Sequence, residues 1–241
     1  MWKLCIVDNN KKTESLNFVF SKLSDSVSGF GGTIEICSAL NTVFVRINEA
    51  YVPFVKAVIK NTIAEAIVEL YKPVYFESGL NISKKFGLSG VALLKTICTL
   101  DKNEDVVEIK RKLDICEGEF HLDSFFEFSL SDLKIRWQEL QNVVLSNLTD
   151  IVLTDSFLDI VRYLLKLMDK NFDTIKVVEK NNKVLLLDKN YRQIVTQTFE
   201  IEDEFKDEKI LQKLIELQPL NVECEGVHCK ELKNLTQSIF N

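Results

Sequence analysis

The chain has 241 residues and a mass of 27.7 kDa, enough for one large domain or two small ones. Apolar residues make up 46% of it and charged residues 27%, and only 8 Gly and 3 Pro leave little room for flexible linkers. The net charge of −6 and the pI of about 5.2 disfavour contact with phosphate backbones and anionic membrane surfaces. We therefore expect a compact protein that binds neither nucleic acid nor membrane.

Short basic and apolar runs do not change this expectation. The basic clusters at residues 84–85 and 110–112 lack interleaved aromatic rings and are typical of solvated helix faces. Residues 1–7 are too few for a signal peptide, and polar residues interrupt the apolar run at 140–153. The six cysteines form no Cys-x-x-Cys pair and are typical of reduced thiols. The sequence therefore predicts a cytoplasmic protein.

The first 76 residues alternate between strand and helix patterns. Residues 3–7, 33–37 and 42–47 are rich in strand formers, and Leu40-Asn41 lies where a hairpin turn would fall. Apolar residues at helical spacing predict one helix over 16–23 and another that begins at Pro53 and ends at Pro73. Residues 74–76 are then expected to form a short strand. This order of elements predicts a ferredoxin-like unit over residues 1–76.

A glycine cluster, Gly29-Phe30-Gly31-Gly32, follows the first predicted helix. Phosphate-binding loops place their glycines between a strand and the N-terminus of a helix, whereas these glycines precede a strand. We therefore interpret the cluster as a helix-ending turn and predict no cofactor there.

Residues 77–118 predict a connector of small helices. Ser89 can cap a helix that carries Val91 and Ile97, and Asp101 or Asn103 can start another.

Residues 119–241 begin with an aromatic segment of high strand propensity, in which Phe125, Phe126 and Phe128 follow residues 120–123. A long helix is expected from Ser131, because apolar residues fall on one side of it at steps of three or four. These residues are Leu133, Trp137, Leu140, Val144, Leu148 and Ile151. Capping residues at 154–156 predict a break, after which a second helix runs to Met168.

The rest of this segment predicts a strand-strand-helix-strand-helix unit. Residues 174–178 and 184–187 are rich in strand formers, and Asn181-Asn182 is a plausible tight turn between them because asparagine tolerates positive φ. A helix that Asp207 can cap ends at Pro219, and an alternating strand and a last helix follow. The fold class is therefore predicted as α+β, with domains at 1–76, 77–118 and 119–241.

His121 is one of only two histidines. On a strand, Glu119, His121 and Asp123 would share a face, where two carboxylates beside an imidazole can bind a divalent metal or tune a base. Glu117 also lies nearby in sequence. Charged residues on the solvent side of an edge strand give the same pattern, so we assign no metal ligand here.

A second cluster places Cys224, His228 and Cys229 within six residues. Zinc sites require four ligands in spaced pairs, and adjacent residues rarely both reach one ion. Because His228 also lies near the start of the last helix, capping or plain surface exposure explains it better than metal binding does, so we assign no metal ligand here either.

No motif of nucleophilic catalysis appears, and the carboxylates lack a paired apolar setting that would raise a pKa. We therefore assign no catalytic residue, and a metal-dependent or small-molecule-binding enzyme is left as the alternative function. The 16 phenylalanines favour an interaction protein, because rings on both faces of the strand predicted at 120–128 must be covered by the core or by a partner. Either another protein or a second copy could be that partner.

From Phe120 to the end, the chain resembles the YtxC-like family of putative sporulation proteins from endospore-forming Firmicutes. The resemblance is carried by residues 120–125 leading to Phe128 and the long helix, by Phe157 with Arg162-Tyr163 before the hairpin, and by residues 230–232 with Ile239-Phe240. In the family an acidic residue and Asn precede the second helix, and Asp and Gln lie near its end. At these positions this chain has Thr154-Asp155-Ser156 and Lys166-Leu167-Met168. These residues do not match the family pattern, so a polar site on that helix is in doubt. The resemblance implies a cytosolic protein of a spore-forming bacterium, and it implies no reaction.

Overall fold

The computed structural model describes residues 1–9, 13–149, 154–227 and 229–241, and it is a mixed α+β protein, as the sequence predicts. Its strands are β1 (Trp2–Val7), β2 (Thr33–Cys37), β3 (Thr42–Ile47), β4 (Gly118–His121), β5 (Phe172–Lys180), β6 (Lys183–Asp188), β7 (Phe199–Glu200) and β8 (Pro219–Glu225). Its helices are α1 (Thr13–Gly29), α2 (Val52–Ala66), α3 (Lys72–Leu80), α4 (Ile82–Thr99), α5 (Lys102–Lys112), α6 (Leu122–Ser124), α7 (Ser131–Thr149), α8 (Thr154–Lys166), α9 (Lys206–Leu217) and α10 (Lys230–Phe240). Two π-helical turns cover Ile67–Tyr71 and Phe125–Ser129.

The described chain forms two compact units, each built from two separate segments. The first unit contains Met1–Tyr75 and Asp101–Leu140, and the second contains Phe76–Leu100 and Gln141–Asn241. The predicted domains at 1–76, 77–118 and 119–241 are consecutive, whereas the segments of the two units interleave. The residues predicted as a connector are therefore shared between the two units.

The sheet of the first unit has the strand order β2-β3-β1-β4. The hairpin of β2 and β3 forms as predicted, and Asn41 closes it in the left-handed conformation at φ 48°. β1 lies between β3, to which it is antiparallel, and β4, to which it is parallel. Its alternate residues Leu4 and Ile6 are fully buried, as half-buried strands require.

The predicted strand at residues 74–76 is wrong, because these residues belong to α3. Pro73 was expected to end the preceding helix, since a proline has no N–H to donate to the turn before it. The π-helical turn Ile67–Tyr71 immediately precedes it, and the wider hydrogen-bond pattern there lets the helical path continue through the proline. β4 takes the place of that strand beside β1. It runs parallel to β1, whereas a ferredoxin-like sheet requires an antiparallel strand there.

The prediction that Phe125, Phe126 and Phe128 lie on a strand is also wrong. β4 ends at His121, opposite Val7, which is the last residue of β1. Beyond that point β1 offers no backbone for pairing, and the chain turns into α6 and a π-helical turn. Phe125 is buried, Phe126 is half-buried, and only Phe128 among the three is largely exposed.

The glycine cluster ends α1, as predicted. The N–H groups of Gly31 and Gly32 donate to the carbonyls of Ser28 and Val27 in the last turn of that helix. Gly31 has φ +67°, and a Cβ on Gly32 would lie 2.7 Å from the Arg46 carbonyl oxygen. Both positions therefore need glycine for reasons of turn geometry and close packing.

The sheet of the second unit has the order β7-β6-β5-β8, with β5 and β8 parallel and its other neighbours antiparallel. The predicted turn at Asn181-Asn182 is present, with φ of 52° and 62°. The strand-strand-helix-strand-helix order is confirmed in β5, β6, α9, β8 and α10, with the two-residue β7 added after β6. The helix predicted to be capped by Asp207 instead has Phe205 at its N-cap.

The helices α4, α5, α7 and α8 agree with the sequence pattern where it is described. Gly87 interrupts α4 at φ 53°, ahead of the helix predicted from Ser89, and Asp101 precedes α5 as predicted. Leu133, Trp137 and Val144 of the α7 stripe are buried. The side chain of Leu148 and all of Ile151 lie outside the described residues. Residues 154–156, at which a break is predicted, form the first turn of α8.

Candidate functional site

His121 does not share a strand face with both of the carboxylates predicted beside it, because Asp123 lies in α6. Its Nε2 atom lies 3.3 Å from a Glu119 carboxylate oxygen, and its Nδ1 atom lies 3.5 Å from the Asn9 side-chain nitrogen. No group of three or more His, Cys, Asp or Glu residues that could hold a metal ion occurs in the described part of the chain. The predicted arrangement of Glu119, His121 and Asp123 on one strand face is therefore not present.

Cys224 and Cys229 each make a separate local contact. The Cys224 sulfur lies 3.5 Å from the Thr236 hydroxyl, whereas the Cys229 sulfur accepts the Leu232 N–H at 3.5 Å at the start of α10. Burial raises the pKa of the Cys229 thiol, and a hydrogen bond to Asp207 raises it further. Cys229 thus acts as a helix cap, and His228 lies outside the described residues.

A buried carboxylate, Asp8, organises the edge of the first sheet at which the parallel strands β1 and β4 both end. Asp8 directly follows β1 and is only 1% exposed. One of its oxygens accepts hydrogen bonds from the Ser15 hydroxyl of α1 and from the Tyr71 hydroxyl, the latter at 2.8 Å. Buried carboxylates need such donors, because burying a charge without hydrogen-bond partners costs about several kcal/mol. Asp8 therefore ties β1, α1 and a π-helical turn together.

The hydroxyl of Tyr71 is held in its protonated form. Its burial raises its pKa far above the ordinary value, and the negative charge of Asp8 raises it further. Asp123 adds a smaller effect in the same direction, and its Oδ1 atom is buried without a hydrogen-bond partner among the described residues. Tyr71 can therefore donate a proton in a hydrogen bond but cannot serve as a base near neutral pH.

A second buried carboxylate, Asp105 of α5, lies elsewhere in the first unit. It forms an ion pair with Lys72 at 2.7 Å, and both side chains are almost fully buried. The indole N–H of Trp137 donates to the same oxygen at 3.1 Å, and Arg136 donates to the other oxygen at 3.2 Å. Arg136 also pairs with Glu108 at 2.7 Å. This network is satisfied by its own members, as structural ion pairs are.

Aromatic rings lie between the two buried carboxylates. Phe126 contacts Tyr71 with 4.9 Å between ring centroids and Trp137 with 6.3 Å. Sequence reasoning missed both carboxylate clusters, because their members come from separate elements that no spacing rule connects. The available signals were a polar residue directly after an apolar strand, at Asp8, and one in the first turn of α5, at Asp105.

Three aromatic residues form an exposed surface on the first unit, which we call the Phe54 surface. Phe30 contacts Tyr51 at 5.5 Å and Phe54 at 6.0 Å between ring centroids. Tyr51 is 43% exposed and Phe54 is 62% exposed. The sequence instead predicts the aromatic surface at residues 125–128, because aromatic residues are most closely spaced along the chain there. The rings of the Phe54 surface come together only in the fold.

The Phe54 surface adjoins the beginning of the edge strand β2. Phe30 lies three residues before Thr33, the first residue of β2. Tyr51 and Phe54 follow β3, whose Arg46 pairs with Thr33. In the described sheet β2 has β3 as its neighbour on one side and no strand on the other. Exposed rings and an open backbone edge are thus adjacent, which is the composition of many peptide-binding surfaces.

None of the described helices is both long and apolar enough to cross a membrane. Comparison of the chain with family models, with curated proteins and with solved structures finds no match.

Proposed function

We propose that the chain is a non-enzymatic interaction or regulatory protein of the cytoplasm that is linked to sporulation in a Firmicutes bacterium. The link to sporulation rests on the resemblance to the YtxC-like family. The interaction role rests on one observation, the Phe54 surface, in which three contacting rings are left in contact with water.

Exposed aromatic clusters favour a protein partner on energetic grounds. Tyr and Phe rings lose little conformational entropy on binding and bury a large area, and aromatic residues are enriched in the buried centres of protein interfaces. Covering about 100 Å² of such apolar surface is worth roughly 2.5 kcal/mol. The adjacent edge of β2 can add main-chain hydrogen bonds to an extended segment of the partner.

Charge supports a protein partner over a nucleic acid. The chain carries 36 acidic residues against 30 basic ones, and a surface that binds phosphate backbones needs an excess of Lys and Arg. We therefore expect no binding of DNA or RNA even at low salt, where any electrostatic attraction is strongest.

The test is affinity purification of the crosslinked, tagged protein from sporulating cells, with vegetative cells as a control. Phe54→Ala removes the most exposed ring of the surface, whereas Phe128→Ala removes a ring that is 79% exposed and lies in a different element. We expect a partner enriched during sporulation with the wild type and with Phe128→Ala, and reduced at least fivefold with Phe54→Ala. Equal recovery of partners with both variants, or recovery of the protein alone in both cell states, would overturn the proposal.

The alternative is a metal-dependent or small-molecule-binding enzyme, and one observation favours it. The buried Oδ1 atom of Asp123 has no hydrogen-bond partner among the described residues. Asp123 lies close enough to Tyr71 to affect its pKa, and it follows the strand that carries His121. Metal analysis of the purified protein tests this function with His121→Ala and His228→Ala. A stoichiometric metal that either variant loses would establish the alternative, and a metal-free protein that binds no added divalent ion would remove its metal-dependent form.

A further inference from the structure

The second unit contains a cavity of about 420 Å³, a size typical of ligand and peptide pockets. Its walls are the last turns of α8 and α10, the residues that follow α8, and the first residues of β8. Leu165, Ile239 and Phe240 supply an apolar floor, and Leu220 at its rim is 54% exposed. The cavity can therefore accept an apolar side chain.

At the edge of β8 that borders this cavity, one side chain makes the hydrogen bonds that a neighbouring strand would make. β8 is the last strand in the order β7-β6-β5-β8, so one side of it faces β5, and the other side, which we call the open edge, has no neighbouring strand in the described sheet. On the open side, the Asn241 carboxamide accepts the Val222 N–H at 3.1 Å and donates to the Val222 carbonyl at 3.0 Å. An added strand would make the same pair of hydrogen bonds to Val222.

Two further residues of β8 present their backbone groups on the same side as Val222. Backbone N–H and C=O groups of alternate residues point to the same side of a strand, so those of Leu220 and Cys224 face the same way as those of Val222. The side chain of Asn241 can satisfy only one of these three residues. An extended segment of about five residues, centred on Val222, would therefore pair with all three residues at roughly 3.3 Å per residue.

The charges of the cavity select the chemistry of that segment. Arg162, Lys166 and Lys170 line it, and none of its described lining residues has an acidic side chain. Arg162 is paired with Asp159 and donates to the Ser238 carbonyl, and Lys170 donates to the Leu165 carbonyl at 2.8 Å. Loss of hydration lowers the pKa of the Lys170 ammonium, and a nearby anion would offset that loss. The cavity is therefore complementary to carboxylates.

We propose that this cavity and the open edge of β8 bind an acidic peptide segment in extended form. The segment pairs with Leu220, Val222 and Cys224 as an added strand and takes the place of the Asn241 carboxamide. Its carboxylates contact Lys166 and Lys170, and one apolar side chain enters the cavity against Leu165 and Phe240. This site is independent of the Phe54 surface, which belongs to the first unit.

The test is fluorescence anisotropy with the full chain and a labelled seven-residue peptide of alternating glutamate and valine. Lys166→Glu reverses a charge in the cavity, and Lys233→Glu makes the same change at an exposed position of α10 that does not line it. We expect measurable binding by the wild type and by Lys233→Glu, and at least tenfold weaker binding by Lys166→Glu. Equal affinity of the two variants, or no binding by the wild type at millimolar peptide and low salt, would overturn the proposal.

Two further measurements separate strand addition from simple charge attraction. The same peptide with methylated backbone nitrogens on its pairing side keeps its charge but cannot donate to the strand, and we expect it to bind at least tenfold more weakly. Asn241→Ala removes the competing side chain, and we expect it to bind the unmodified peptide severalfold more tightly. Equal binding of the methylated peptide would overturn the strand-addition step. Phe54→Ala should leave peptide binding unchanged, so this site and the proposed function can fail separately.

Discussion

The two four-stranded sheets have the same sequence of strand directions but treat their polar groups differently. In each, three antiparallel strands are followed by a fourth that is parallel to its neighbour: β4 beside β1 in one and β8 beside β5 in the other. The first unit buries two carboxylates, Asp8 and Asp105, in hydrogen-bond networks. The second unit keeps its ion pairs nearer to water, as at Lys176 with Glu223 and Glu225.

This difference predicts which charged residues of each unit matter for its stability. A buried charge whose partner is removed loses interactions that water cannot replace, whereas an exposed pair exchanges its partner for water at little cost. Single substitutions of the buried charged residues of the first unit should therefore destabilise it strongly, whereas substitutions of the more exposed pairs in either unit should have weak effects. Because both tryptophans, Trp2 and Trp137, lie in the first unit, tryptophan fluorescence reports on that unit, and far-ultraviolet circular dichroism reports on both.

The largest effect is expected for Asp105→Asn. The change removes the negative charge that pairs with Lys72 and Arg136, and breaking a buried ion pair by removal of one partner costs about 3–5 kcal/mol. Urea unfolding followed by tryptophan fluorescence measures this loss.

The control for this change is Asp132→Asn, which breaks the ion pair of a largely exposed carboxylate with Lys112. Exposed pairs are screened by water and contribute little to stability, so the control should unfold almost as the wild type does. Replacing Lys72 with Met in the Asp105→Asn background should restore part of the lost stability, because the unpaired cation is then removed. Similar losses for Asp105→Asn and Asp132→Asn would show that burial does not govern the sensitivity of the first unit.

Tyr71→Phe should have a smaller effect in the same unit. It keeps the ring against Phe126 but removes the hydroxyl that donates to Asp8 at 2.8 Å. Loss of one donor to a buried charged group costs about 1.5–3 kcal/mol. Tyr51→Phe removes a hydroxyl from an exposed ring and should change the free energy of unfolding by less than about 0.5 kcal/mol. Equal effects of the two changes would contradict a structural role for Asp8.

Sequence reasoning was most successful where local physics decides the structure. The left-handed residues Asn41 and Asn181-Asn182 and the helical stripe from Leu133 follow from turn chemistry and apolar periodicity, and both hairpins and α7 form accordingly. It failed at residues 74–76 and 125–128, where the length of β1 and two π-helical turns override a high strand propensity.

The sites were less accessible to sequence reasoning than the fold. Asp8 and Tyr71 are 63 residues apart, and Lys72 and Asp105 are 33 apart, so only the folded chain brings each pair together. The candidates that sequence proximity suggested, at His121 and at Cys224 with Cys229, each contact one or two other side chains or backbone groups and do not form a cluster of ligands. Patterns along the chain therefore identified helices and strands correctly, but they did not identify the clusters of side chains that the fold brings together.

The smallest effect, and the one that sharpens the comparison, is expected for Glu216→Gln in the second unit. Partial burial raises the pKa of the Glu216 carboxyl, but hydrogen bonds and ion pairs with Lys95 and Lys213 lower it more, so its pKa lies below the ordinary value. A carboxyl whose pKa is lower in the folded than in the unfolded chain stabilises the fold above the unfolded pKa, about 4.3, and loses that contribution as pH falls through the folded pKa. We therefore expect Glu216→Gln to cost about 1 kcal/mol at pH 7 and less than half of that at pH 3. Urea unfolding followed by circular dichroism at the two pH values measures both, with Glu204→Gln, an exposed glutamate of the same unit, as the control. A cost that stays the same at pH 3, or a cost above about 3 kcal/mol at pH 7, would place Glu216 with the buried carboxylates of the first unit and remove the contrast between the two units.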